Sequence, residues 1–192
     1  PNGAGGLGNA ISALQHLTAS KIVDAYHYAD MLEGCNQKRQ TKEQEIFNEA
    51  KHYVESAPDF SSSYSIIAAG DGWHQGVIGI VASRFARDYN RPAIVLTIQG
   101  DEAHGSGRSI GGLNLIKVLS KCSHLLTRYG GHPMAVGLGL RKEDIPEFSR
   151  VFEETVRSEI TPEDLIDSVS YDGTVNLSDL GPDFFSYYDK LG

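Results

Sequence analysis

Between residues 64 and 160 the chain switches repeatedly between two hydrophobic periods, and that alternation restricts the fold more than any other feature of the sequence. Residues 64–69 form a short apolar run suited to a strand. Residues 76–89 place Val77, Ile80, Val81 and Phe85 on one helical face, Pro92 interrupts, and residues 93–98 return to the strand type. A further strand is expected around residues 102–105, a helix over 113–122, a strand over 136–140, and a helix over 142–160. That last helix opens on Glu143 and Asp144, which suit the positive end of a helix dipole. Such segments bury their apolar faces by stacking helices on a sheet, so residues 59–161 are expected to be one α/β domain.

The flanks read differently. Four glycines fall within residues 1–10, a short helical pattern covers 9–17, and Ser20 is placed to cap a much longer helix. Ile22, Ala25, Ala29, Leu32 and Cys35 follow helical spacing, a polar break runs from 36 to 45, and Phe47, Ala50 and Val54 resume it before Pro58. A helix this long and polar connects bodies rather than filling one, so residues 1–58 are read as a lead-in and connector. Beyond Pro162, residues 168–175 alternate like a strand, and 176–191 carry Phe184, Tyr187 and Leu191 at helical spacing. One strand and one helix cannot bury a core. Residues 162–192 are therefore expected to begin a further domain. Pro1 stands where an initiator Met would, so the chain reads as a segment of a longer protein.

Composition narrows the function classes. With 40% hydrophobic and 22% charged residues in 192, the chain is that of a globular protein. No apolar run nears the roughly 20 residues needed to cross a bilayer. No secretory signal appears either, so a cytoplasmic protein without a membrane partner is expected. Cys35 and Cys122 share no metal-binding or redox spacing and are read as buried reduced thiols, giving neither disulfide nor zinc. His16, His27, His52, His104 and His124 show no metal spacing, and no catalytic triad or P-loop is present, so no metal is expected in this chain. The formal charge of −8 excludes a nucleic-acid binder that works by bulk attraction. Yet Arg84, Arg87, Arg91, Arg108, Lys117, Lys121 and Arg128 fall between the acidic stretches 43–55 and 143–167, which leaves room for a local positive groove.

Two glycine-bounded motifs are candidates for that groove. GSGRS, residues 105–109, sets Ser106 and Arg108 two apart, so extended backbone aims a hydroxyl and a guanidinium the same way, flanked by Gly107 and Ser109. GGHPMAVG, residues 130–137, joins Gly130 and Gly131, whose amides a ligand can approach, to His132, held before Pro133. The competing readings are a glycine-rich turn with a solvated arginine and a turn histidine. In GWHQGVIGIVASR, residues 72–84, Trp73 is read as a core anchor and His74 as either a phosphate contact or a helix cap. Gly76 and Gly79 are read as allowing either close packing or the approach of an anion at the helix N-terminus, and Arg84 as a surface cation.

GWHQGVIGIVASR, GSGRS and LLTRYGGHPMAVGL in this order resemble the DHH-associated (DHHA1) domain of the DHH phosphoesterase superfamily, and within it the RecJ family of single-strand-specific 5′-to-3′ exonucleases. The opening PNGAGGLGNAISAL, the long helix with Asn36, Arg39 and Gln40, and YDGTVNLSDLGPDFFSYYDKLG extend the resemblance along essentially the whole chain. It implies a DHHA1-type mixed sheet flanked by helices, preceded by a connector helix and followed by the start of an OB-fold. It also implies a hydrolase acting on single-stranded DNA in repair and recombination, with single-strand-binding protein as a partner. Mn2+ or Mg2+ is implied on a DHH domain that lies outside this sequence. Ser106, Gly107, Arg108, Ser109, Gly130, Gly131, His132 and His74 are implied phosphate contacts, His132 positioning substrate rather than ligating metal. Relatives acting on oligonucleotides or cyclic dinucleotides, and a nuclease-dead scaffold, share the same grip. Gly6 stands where the family carries Arg in a GRLG pattern, which puts a preference for a 5′-phosphate in doubt. Val136 stands where the family prefers Ala.

Overall fold

The computed structural model describes residues 10–168, 171–188 and 190. Helix α1 (Ala10–Thr18) folds back on α2 (Ile22–Glu55), a continuous helix of 34 residues. Then follow β1 (Ile66–Asp71), α3 (Gln75–Tyr89), β2 (Ala93–Gln99), β3 (Glu102–Arg108), α4 (Leu115–Lys121), β4 (Arg128–His132), β5 (Ala135–Arg141), α5 (Ile145–Glu159) and the short α6 (Pro182–Tyr188). The strands form one mixed sheet in the order β1-β2-β3-β5-β4. Its β1/β2 pair is parallel, bridged by α3, and the others are antiparallel.

Alternation along each strand splits the core in two, because successive side chains leave a strand on opposite faces. Ile94, Leu96, Ala103, Val136, Leu138 and Leu140 pack under α4 and α5, which contribute Leu115, Leu119, Phe148, Phe152 and Val156. On the opposite face Ile66, Ala68, Ala93 and Val95 meet Val77, Ile78, Val81 and Phe85 of α3 and Ile46, Phe47, Ala50 and Val54 of α2. Trp73 closes this second layer. It is buried, and its indole N–H donates to Glu49 at 3.1 Å, so it anchors the core as its sequence setting suggested. The second layer ends at β2, and among the described residues neither β5 nor β4 contributes to it. That half of the sheet face is left without a covering helix.

The buried residues of α2 all lie in its last third, whereas Ile22, Val23, Tyr26 and Met31 near its start are exposed. The helix thus docks one end on the sheet and carries the other away from it. Arg39 at mid-helix is tied to Glu43 and Asn36, each at 2.9 Å.

Several local expectations are revised. Lys21, not Ser20, precedes α2, with no side-chain cap. GSGRS is not a loop: residues 105–108 lie inside β3, paired on both sides, so its backbone amides are spent on the sheet. GGHPMAVG is a hairpin, with Pro133 and Met134 as its turn. The alternating run 168–175 forms no strand at its described positions, 168 and 171–175, where no sheet edge is paired with it. Cys122 is buried, but Cys35 is only half-buried. Gly6 and the rest of the opening loop lie outside the described residues, as does Leu191.

Candidate functional site

Strand register decides what stands on the uncovered face, because residues directly opposite in an antiparallel pair point to the same side. Arg108 pairs with Ala135, and Ala135 with His132. Ser106 pairs with Gly137, and Gly137 with Gly130. His104 pairs with Gly139, and Gly139 with Arg128. The three rows lie side by side and make a shallow groove. Its floor is Ala135, Gly137 and Gly139 of β5, one wall is the polar side chains of β3 under α3, and the other is the edge strand β4. Arg108 and His132 therefore belong to one face, as a shared anion pocket requires.

Tight packing places the β3 wall. A methyl group on Gly79 of α3 would lie 3.0 Å from Ser106 Oγ and 3.3 Å from Arg108 Nη2, so this glycine lets the helix sit directly on the two candidate phosphate ligands. Arg108 Nη1 donates to Ser106 Oγ at 3.2 Å and to the carbonyl of Gly107 at 2.8 Å, which holds the guanidinium in place. Burial lowers the pKa of Arg108 from its ordinary value, yet a guanidinium stays protonated at any physiological pH. Part of its water is already gone, so an arriving phosphate meets a charge that is prearranged and weakly screened.

The β4 wall is exposed throughout. His132 Nδ1 accepts from the Met134 N–H at 3.3 Å, which fixes the ring against its own turn and leaves Nε2 for a ligand. Gly131 has φ 140°, and a methyl group there would stand 2.3 Å from the carbonyl oxygen of Ala135. Only glycine fits that step. At Gly130 a methyl group would meet nothing within 4 Å, so the groove is open above it.

Two further candidates are hydrogen-bonded within the fold. The Ser109 hydroxyl is buried and donates to the carbonyl of Leu113 at 2.8 Å, pinning the turn after β3. His74 caps α3, its Nδ1 accepting from the Gly76 N–H at 3.1 Å. Gly107 faces the other way, into Ile94, Val136 and Leu115. Arg84 is occupied by Gln44 at 2.9 Å and by the ring of Phe47. Arg128, named in the sequence only as one cation of a possible groove, and His104, named only as a histidine without metal spacing, each stand four residues before a candidate on the same strand and so share its face. Among the described residues no three His, Cys, Asp or Glu side chains come together as a metal ion requires.

Residues 62–158 match the family model described as the DHHA1 domain. A single-stranded-DNA-specific exonuclease RecJ of Bacillus subtilis is 35% identical over 181 residues, covering 93% of this chain and 23% of the relative. The protein of the same name from Escherichia coli is 32% identical over 189 residues, covering 93% and 32%. A crystal structure of RecJ in complex with Mg2+ from Thermus thermophilus superposes with a TM-score of 0.82 at 28% identity, covering 99% of this chain and 29% of that one. A structure from the same organism in complex with Mn2+ gives 0.72 at 30% identity, covering 82% and 23%. The chain thus spans about a quarter to a third of the length of the relatives it matches.

Proposed function

The chain belongs to the DHHA1 domain family, and from that membership we propose that it is the strand-gripping part of a RecJ-type exonuclease that degrades single-stranded DNA from the 5′ end. The observation that carries this reading is the row Arg108, Ala135, His132, which sets a guanidinium and an imidazole on either side of a methyl-sized floor. A sugar-phosphate backbone fits such a slot. Its phosphate oxygens accept from Arg108, from Ser106 and from the outer ring nitrogen of His132, while glycines at 130 and 137 let the strand lie close to the sheet. Gly131 acts by shaping the hairpin. Ser109, Gly107 and His74 support the walls.

The net charge of −8 fits this reading, because the grip relies on a few directed donors rather than on bulk attraction. Affinity then depends on few phosphates and falls only gently with salt. The residues position a strand, and among the described residues no set of ligands for Mn2+ or Mg2+ comes together. Bond cleavage belongs to the part of the enzyme outside this chain, where a divalent ion activates water. The connector covers residues 1–58, the grip 59–161, and the OB-fold begins within 162–192. The enzyme works in the cytoplasm in DNA repair and recombination, with single-strand-binding protein as a partner.

In the full-length enzyme, Arg108→Ala and His132→Ala each lower turnover on long single strands by about tenfold or more, the effect of removing one directed donor to a charged oxygen. Metal binding is unchanged in both. Wild-type turnover in both variants refutes the assignment, and faster cleavage of dinucleotides than of long strands points instead to an oligonucleotide phosphodiesterase.

A further inference from the structure

The proposed grip uses two of the three rows on the open face, and the third carries a cation of its own. Arg128 Nη2 lies 3.1 Å from His104 Nδ1, so the arginine spans from the edge strand β4 across β5 to β3. A methyl group on Gly139 would meet Arg128 Cγ at 3.0 Å and Nε at 3.1 Å. The side chain rests directly on that glycine, and any other residue there would lift it. A guanidinium can only donate, so Nδ1 of His104 is the acceptor and is unprotonated in this arrangement. On the other side of the ring, His104 Nε2 is 3.8 Å from Glu102. The hydrogen bond to His104 uses one N–H of Arg128, and among the described residues the others have no protein partner.

We propose that Arg128, positioned by His104, forms a second phosphate subsite of the groove. The subsite takes a phosphodiester of the same DNA strand at a distance from the one held by Arg108 and His132, and it rests on the strand-binding reading above. His104 precedes Arg108 by four strand residues, as Arg128 precedes His132, so the two cationic rows are about 13 Å apart. Successive phosphates of a stacked strand are separated by about 3.4 Å along its axis. One phosphate therefore cannot reach both rows. A strand of several nucleotides can, and a dinucleotide cannot. The groove should accordingly measure length, with affinity rising once the strand is long enough to meet Arg128.

The test titrates this chain with 5′-phosphorylated thymidine hexanucleotide and with the 5′-phosphorylated dinucleotide, following amide shifts by NMR. Arg128→Gln is expected to weaken the hexanucleotide about five- to tenfold and reduce its salt slope by about 0.7, the loss of one phosphate contact on a single strand. It should leave the dinucleotide within about twofold. Arg128→Lys keeps the charge and recovers part of the loss. His104→Ala weakens the hexanucleotide alone, and His104→Gln, whose amide oxygen can accept the same hydrogen bond, restores it. Lys117→Gln, on exposed α4 across the sheet, changes neither probe. Equal losses on both probes in Arg128→Gln, an unchanged hexanucleotide, or a matching loss in Lys117→Gln overturns the second subsite. If Arg108→Gln leaves both probes unaffected, or the wild-type chain binds neither, the strand-binding reading falls and takes the subsite with it.

Discussion

Adjacent glycines of one motif should respond to the same substitution in opposite ways. At Gly131 φ is 140°, and an added methyl group would stand 2.3 Å from the Ala135 carbonyl oxygen and 2.8 Å from Val136 Cα. Both obstacles are backbone, so no side chain can rotate away and the hairpin itself must shift. A residue forced into that region costs about 1–3 kcal/mol, and displacing the paired strand brings the total for Gly131→Ala to about 2–4 kcal/mol. With a urea dependence of about 2 kcal/mol per molar, the unfolding midpoint should fall by about 1–2 M. At Gly130 nothing lies within 4 Å of the added methyl, so Gly130→Ala keeps the stability or raises it by up to about 0.5–1 kcal/mol, a midpoint rise of at most about 0.5 M. That methyl stands on the open face in the row of Ser106, and hexanucleotide affinity should fall although the fold is intact. Urea curves of both variants, followed by tryptophan fluorescence of Trp73, decide the matter. A wild-type midpoint for Gly131→Ala, or equal destabilisation of the two, refutes the reasoning.

Gly79→Ala gains up to about 1 kcal/mol of helix propensity but pushes on Ser106 and Arg108, so its urea midpoint should stay near wild type while oligonucleotide binding weakens; unchanged binding would show that α3 does not set the β3 wall. Phe148→Ala or Phe152→Ala opens the α5 side of the core and should cost about 3–5 kcal/mol, read from the same urea curves. Burial raises the Cys122 thiol above its ordinary value of 9.0, with a smaller opposing effect from Thr155. The folded state thus keeps a proton that the unfolded chain releases. The associated stability is present below about pH 9 and lost as pH rises further, so wild type should lose stability above that pH more steeply than Cys122→Ala. Parallel pH profiles of the two would contradict this.

Which parts of the fold could be read from the chain depends on how local their cause is. The strand-helix alternation, the 34-residue helix and the role of Trp73 follow from hydrophobic period within short windows, and all three are present. For GSGRS a glycine-rich turn competes with extended backbone, because the motif lacks the branched residues of a strand. Its glycines are needed because neighbours occupy their side-chain space. A methyl on Gly105 would fall 2.5 Å from Leu96, and one on Gly107 equally close to Ile94. Leu96 and Ile94 lie on another strand, so no window around residue 105 contains the reason. The run 168–175 shows the reverse, a strand-like period that pairs with no sheet edge at its described positions, 168 and 171–175.

The amino-acid order by itself determined that helices would stack on a sheet and that Ser106 and Arg108 would share a side. Only the tertiary structure decided that His132 shares their face, that Ser109 and His74 hydrogen-bond within the fold, and that Arg128 crosses Gly139 to reach His104. The physical reason is register. Periodicity along a chain fixes which side of its own strand a residue leaves by, but which residues of other strands stand beside it depends on pairing between segments far apart in sequence.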